Sequence, residues 1–165
     1  VNVQAIYSTV SAFAAVKADG FVVTWGDAVL GGDSTAVQEQ LVNVQRIYST
    51  GAAFAAVKTD GCVVTWGGER EGGDSTAVQE QLVNVQAIYS TVSAFAAVKA
   101  DGFVVTWGSA DHGGDSTAVQ EQLVNVQAIS STDTAFAAVK ADGSVVAFAA
   151  VKADGFVVTW GVAVS

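Results

Sequence analysis

The side chains with which this chain could do chemistry come in sets spaced 41 residues apart. Asp33-Ser34-Thr35 with Glu39 returns as Asp74-Ser75-Thr76 with Glu80, and again as Asp115-Ser116-Thr117 with Glu121. A serine or threonine nucleophile of the usual triad needs an imidazole to take its proton, and the 165 residues hold one histidine, His112. The sets therefore lack a base, and Asp33 or Ser34 is better explained as a turn or a helix cap. Asp19 and its copies could pair with other carboxylates across repeats, yet each is explained by the Asp-Gly turn it opens. Cys62 stands where the neighbouring copies carry Phe21 and Phe103, the place of a small hydrophobe. One cysteine and one histidine do not assemble a Cys/His zinc site. Gly31-Gly32-Asp33 lacks the Lys-Ser/Thr pair of a phosphate loop. No catalytic residue, cofactor or metal is expected.

The places where near-identical copies disagree say more. Val1 to Leu41 and Val83 to Leu123 differ only where Asp27, Val29 and Leu30 become Ser109, Asp111 and His112, and the second copy places Glu69, Arg70 and Glu71 in the same loop. Equivalent loops of stacked repeats emerge on one rim. Asp27, Val29, Leu30, Glu69, Arg70, Glu71, Ser109, Asp111 and His112 are therefore read as a chemically varied contact surface for a protein partner. The competing reading is drift in loops without a role, with His112 simply solvated.

These loops hang on a unit written four times, over residues 1–41, 42–82, 83–123 and 124–165, which together are read as a single repeat domain. Within a unit, Val1 to Tyr7 alternates, and Ala12 to Val16 and Phe21 to Trp25 form two apolar runs around Lys17-Ala18-Asp19-Gly20. Three strands are predicted, the last two a hairpin whose Asp-Gly supplies a tight turn or its bulge. Phe21, Val23 and Trp25 share one face of the third strand and Val22 and Thr24 the other, so the strand needs cover on both sides. Sheets stacked face to face provide it. The prediction is an all-β array of three-stranded antiparallel blades, with Trp25, Trp66, Trp107 and Trp160 in its core. Asp33 to Leu41 is either a short helical turn or a plain linker.

The fourth unit departs from the others. Residues 135–146 are followed at once by a near copy, 147–158, and the Asp-Ser-Thr-Ala-Val-Gln-Glu-Gln-Leu link is missing. A duplicated hairpin is predicted, with a continuous strand from Ser144 to Lys152 that widens the last blade or leaves an ill-fitting edge.

Composition bounds the partners. Sixteen acidic against seven basic residues give a net charge of -9, which opposes phosphate backbones and anionic membrane faces. No nucleic-acid or membrane partner is expected. The acids are spread through all four repeats, as suits the solubility of a chain that is 51% apolar. No basic-then-apolar leader and no bilayer-length apolar run is present, and no disulfide can form within the chain, so an intracellular setting is expected. With no methionine, the chain reads as a piece of something longer.

Ala-Phe-Ala-Ala-Val-Lys-Ala-Asp-Gly-Phe-Val-Val-Thr-Trp-Gly, followed by Gly-Gly-Asp, resembles the RCC1-type repeat of the regulator of chromosome condensation family, in phase through all four units. WD40 repeats have a similar length, but Trp-Gly stands here in place of their Trp-Asp, and their Gly-His pair is absent. The chain departs from the RCC1 pattern in reading Leu30-Gly31-Gly32-Asp33 at the usual Gly-Gln-Leu-Gly step, in opening its aliphatic strand with Ala12-Phe13, and in the shortness of its repeat. Short repeats of this kind resemble those of a bacterial propeller inhibitor of β-lactamases, whose blades are three-stranded. The resemblance implies an RCC1-like β-propeller, partial or small, acting as a non-catalytic protein-interaction scaffold. It further implies a substrate-recruiting arm of a HECT-type ubiquitin ligase, as in HERC-like proteins, whose catalytic domain would lie outside this chain. The alternatives are a self-associating structural repeat protein, a homo-oligomer joined through its open edges, and, with no basic segment to support it, a guanine nucleotide exchange regulator.

Overall fold

The computed structural model describes residues 2–149. Twelve strands form four antiparallel sheets of three, each in the order of the sequence. Blade 1 holds β1 (Val3–Ser8), β2 (Ala12–Lys17) and β3 (Val22–Gly26), and blade 2 holds β4 (Val44–Ser49), β5 (Ala53–Lys58) and β6 (Val63–Gly67). Blade 3 holds β7 (Val85–Ser90), β8 (Ala94–Lys99) and β9 (Val104–Gly108), and blade 4 holds β10 (Val126–Ser131), β11 (Ala135–Lys140) and β12 (Val145–Ala149). The sheets form a partial propeller that does not close into a ring among the described residues.

Each hairpin turns at its Asp-Gly as the sequence requires. Gly20 lies at φ +79° and donates its N–H to the Lys17 carbonyl, while the Lys17 N–H reaches the Phe21 carbonyl. This is the bulged form of the turn, with glycine in the left-handed region. The turn also serves the next blade: the Gly20 carbonyl accepts the Val44 N–H at 3.0 Å, and a Cβ on Gly20 would lie 3.0 Å from the Asn43 backbone. Asn43, Asn84 and Asn125 meet these turns at φ of 55–57°, a left-handed conformation that asparagine tolerates better than most residues. At the opposite end, Val10 N–H bonds the Gly51 carbonyl, Gly51 N–H the Val92 carbonyl and Val92 N–H the Asp133 carbonyl, at 2.9–3.0 Å.

Between these stitches the blades stack through apolar faces. Ala12, Ala14, Val16 and Val22 of blade 1 pack on Ile47, Phe54, Val64 and Trp66 of blade 2, and the same positions join blades 2 to 3 and 3 to 4. Small alanines facing rings let the sheets approach closely. The expectation for tryptophan holds for Trp66 and Trp107, which are 5% and 4% exposed, and is corrected at Trp25, which is 44% exposed. A tryptophan here is buried by the blade before its own, and none precedes blade 1 among the described residues; Phe13 is open for the same reason. Trp160 lies outside the described residues. So does nearly all of the second hairpin of the last unit, of which β12 takes in residues 147–149; β12 begins at Val145 rather than Ser144.

The link between blades is a turn of 3-10 helix, Thr35–Gln40, repeated at Thr76–Gln81 and Thr117–Gln122. Asp33 starts it by accepting both the N–H and the hydroxyl of Thr35. Ser34 is buried instead of capping: its hydroxyl meets that of Thr24 and the Gln38 Oε1, and Gln38 Nε2 donates to the Val22 carbonyl. The link is thereby tied to β3.

Candidate rim surface

The loops after Trp25-Gly26, Trp66-Gly67 and Trp107-Gly108 share one set of backbone bonds. Gly32 N–H bonds the Asp27 carbonyl, Gly73 N–H the Gly68 carbonyl and Gly114 N–H the Ser109 carbonyl, at 2.7–2.9 Å. From the strand turn of the same blade, the hydroxyls of Thr9, Thr50 and Thr91 donate to the carbonyls of Leu30, Glu71 and His112, each at 2.9 Å. Gly31, Gly72 and Gly113 follow at φ of 91–103°, and a Cβ on any of them would fall 2.5–2.7 Å from the phenylalanine ring of the next blade. Because main-chain bonds, the threonine hydroxyls and glycine recur in all three loops, the side chains before the glycine can differ while these bonds persist. That accounts physically for variation concentrated at one place.

The structure brings Val29 of the first loop together with Glu69, Arg70 and Glu71 of the second. They line a groove of about 570 Å³ between blades 1 and 2, with Trp66 and Gly67 within it and Ala36 and Val37 along its side. Val29, Glu69 and Arg70 are exposed, and Glu71 is half-buried. The groove thus presents two carboxylates and a guanidinium beside an aliphatic and aromatic wall. Asp27 does not line it; its carboxylate accepts the N–H groups of Val29 and Leu30 at 2.9 and 3.2 Å and shapes the loop. Leu30 is half-buried. Ser109, Asp111 and His112 sit on the third loop, where Ser109 Oγ lies 3.1 Å from His112 Nδ1. Trp66, expected in the core and found there, also reaches the floor of the groove.

The other clefts and side chains described carry no comparable arrangement. Two clefts of about 360 and 350 Å³, equivalent by repeat, open beside the second and third links. The serines that line them, Ser75 and Ser116, are already bonded to Gln79 and Gln120 and to threonine hydroxyls. Burial and the Asp60 carboxylate push the Cys62 thiol above its ordinary value, which disfavours the reactive thiolate. Among the described residues no three His, Cys, Asp or Glu side chains gather where they could hold a metal ion. No helix among them is long and apolar enough to cross a membrane.

No protein-family model matches the chain, and no curated protein matches its sequence. Solved structures do match its shape. Prp20p of Saccharomyces cerevisiae, the yeast RCC1, superposes with a TM-score of 0.65 at 16% identity, over 98% of this chain and 50% of its own. The fold is RCC1-like. The ectodomain of the Physcomitrella patens receptor kinase CR4 matches at TM-score 0.59 and 19% identity, over 90% of this chain and 39% of its own. Human WBSCR16 matches at TM-score 0.56 and 18% identity, over 89% and 47%. The RCC1-like array therefore spans about half the length of Prp20p. At these identities the likeness is one of fold alone.

Proposed function

We propose that this RCC1-like array is a non-catalytic protein-interaction module whose contact surface is the rim after the Trp-Gly steps, centred on the groove between Val29 and the Glu69-Arg70-Glu71 turn. The observation that carries the reading is a set of loops with a common backbone plan and different side chains, two of which meet over a groove. Charged groups on such a rim set specificity and approach, and the exposed Val29 adds apolar area for a partner to bury. The fold has precedent in this use. Prp20p has been described with its binding properties to Gsp1p and histones, and yeast RCC1 with Kap60 bound. In its finer form the proposal is a substrate-recruiting arm, with any HECT-type ligase chemistry supplied by a domain outside these 165 residues.

Affinity capture with the whole chain, repeated with Glu69→Ala, Arg70→Val and Glu71→Leu together, tests the reading, since these are the first repeat's residues and preserve the loop. A partner retained by the parent should bind the triple variant at least about tenfold more weakly, the effect of losing about 1.4 kcal/mol. Unchanged affinity would overturn the rim as the contact surface.

A further inference from the structure

Every blade has two faces with different occupants. The face carrying Ile47, Phe54, Val64 and Trp66 on blade 2 is buried on blade 1, while the opposite face of blade 2, with Val57 and Val63, is buried under blade 3. At the two ends of the array these faces find no neighbouring blade among the described residues. Ile6, Phe13, Val23 and Trp25 of blade 1 are 44–59% exposed, against 0–6% for their counterparts on blade 2. Val139 and Val145 of blade 4 are 37% and 38% exposed, whereas Val16 and Val22 are both 2% exposed.

The main chain repeats the pattern. The Gly20, Gly61 and Gly102 carbonyls accept the N–H groups of Val44, Val85 and Val126, and among the described residues the Gly143 carbonyl and the Val3 N–H find no such partner. At the other end of the strands, the ladder through Val10, Gly51, Val92 and Asp133 leaves the Val10 carbonyl and the Asp133 N–H as its two loose ends. A Cβ on Gly143 would meet nothing within 4 Å, while on Gly20, Gly61 and Gly102 it would crowd the next blade's asparagine at 2.9–3.0 Å. Among the described residues, one end of the array thus lacks what the other end offers, in apolar surface and in hydrogen bonds alike.

We propose that the open face of blade 1 seats on the open face of blade 4 of a second copy of this chain, with Val3 N–H bonded to the Gly143 carbonyl and Asp133 N–H to the Val10 carbonyl across the contact. A second copy is the fitting occupant because the residue types on both faces already bury one another at each of the three blade junctions within the chain. The contact is heterologous, so it must close or extend; two copies bring eight blades, and propellers close with roughly four to eight. The indole bond that Trp66 and Trp107 make to a preceding loop is dispensable for seating. Phe148 takes the tryptophan's place on blade 4, packs tilted against Phe136 at 5.3 Å between ring centroids and is buried without that bond. No rim residue takes part, so the contact stands or falls separately from the rim reading.

Light scattering on the whole chain across a concentration series tests it. The expected result is a shift from a one-chain to a two-chain mass as concentration rises. Ile6→Glu with Val23→Glu, placed on exposed positions, should abolish the shift, and so should Val139→Glu with Val145→Glu; Val145→Lys alone is the substitute if far-UV dichroism shows that pair unfolded. Trp25→Phe should leave the shift in place, and the rim triple variant should also keep it. Mixing the blade 1 variant with the blade 4 variant should restore a 1:1 pair, since each retains the face the other has lost. A chain that stays monomeric throughout, association that survives the blade 4 variant, or a mixture that stays monomeric would overturn the proposal.

Discussion

Asp33, Asp74 and Asp115 each hold the threonine two residues on by both its hydroxyl and its N–H, and so start the link that leads to the next blade. The hydroxyl bond first, then the backbone bond, holds these carboxyls below the ordinary aspartate value of 3.8. A carboxyl depressed in the folded state contributes stability that is complete above its unfolded value and is lost as pH falls through the folded one. The three links should therefore weaken together in acid. Replacing all three by asparagine keeps the acceptor oxygen and removes the titration. Melting temperatures measured between about pH 5 and pH 2 should fall less steeply for this triple variant than for the parent. Parallel slopes would show that the links do not sense protonation.

At the scale of the strand, one side chain joins two blades. Trp66 Nε1–H donates to the Gly31 carbonyl and Trp107 Nε1–H to the Gly72 carbonyl, each at 3.0 Å, while each indole stacks on the phenylalanine opposite it at 5.2 Å. Trp66→Phe keeps most of the stacking and leaves a buried carbonyl without its donor, a loss of about 1–3 kcal/mol. The same change at Trp25, which stacks on Phe13 at 5.4 Å on an open face, should stay within about 0.5 kcal/mol. Urea titrations of the two variants provide the comparison. Equal losses would mean that the value of the indole lies in its own blade and not in the loop it reaches.

At the scale of the whole molecule, each blade packs on its sequence neighbours, so stability is close to a sum of blade terms and junction terms. Ala14, Ala55 and Ala96 are fully buried at the three junctions. Ala96→Leu overfills the junction of blades 3 and 4 and should cost about 1–3 kcal/mol there. Hydrogen exchange should then quicken in β10 to β12 and stay unchanged in β4 to β6, because blade 3 alone lies between the two regions. A uniform increase across the array would mean that the four blades unfold as one unit.

What the sequence by itself determined is everything that repeats locally. The period of 41, the three strands, the bulged Asp-Gly turns and the concentration of differences in one loop are set by alternation, glycine and the comparison of copies, and these read through to the RCC1-like fold. The helical-turn reading of Asp33 to Leu41 took its form as a short 3-10 helix whose serine is buried rather than capping. What only the tertiary structure decided is which copy of a face is covered. Trp25 and Trp107 sit in the same local sequence, yet one is open and the other buried, because a blade's face is buried by its neighbour and not by its own residues. The left-handed asparagines that meet the preceding turns, the buried Ser34 to Gln38 network, and the meeting of Val29 with Glu69 and Arg70 over Trp66 share that origin. They arise between repeats, at distances along the chain that no local pattern spans.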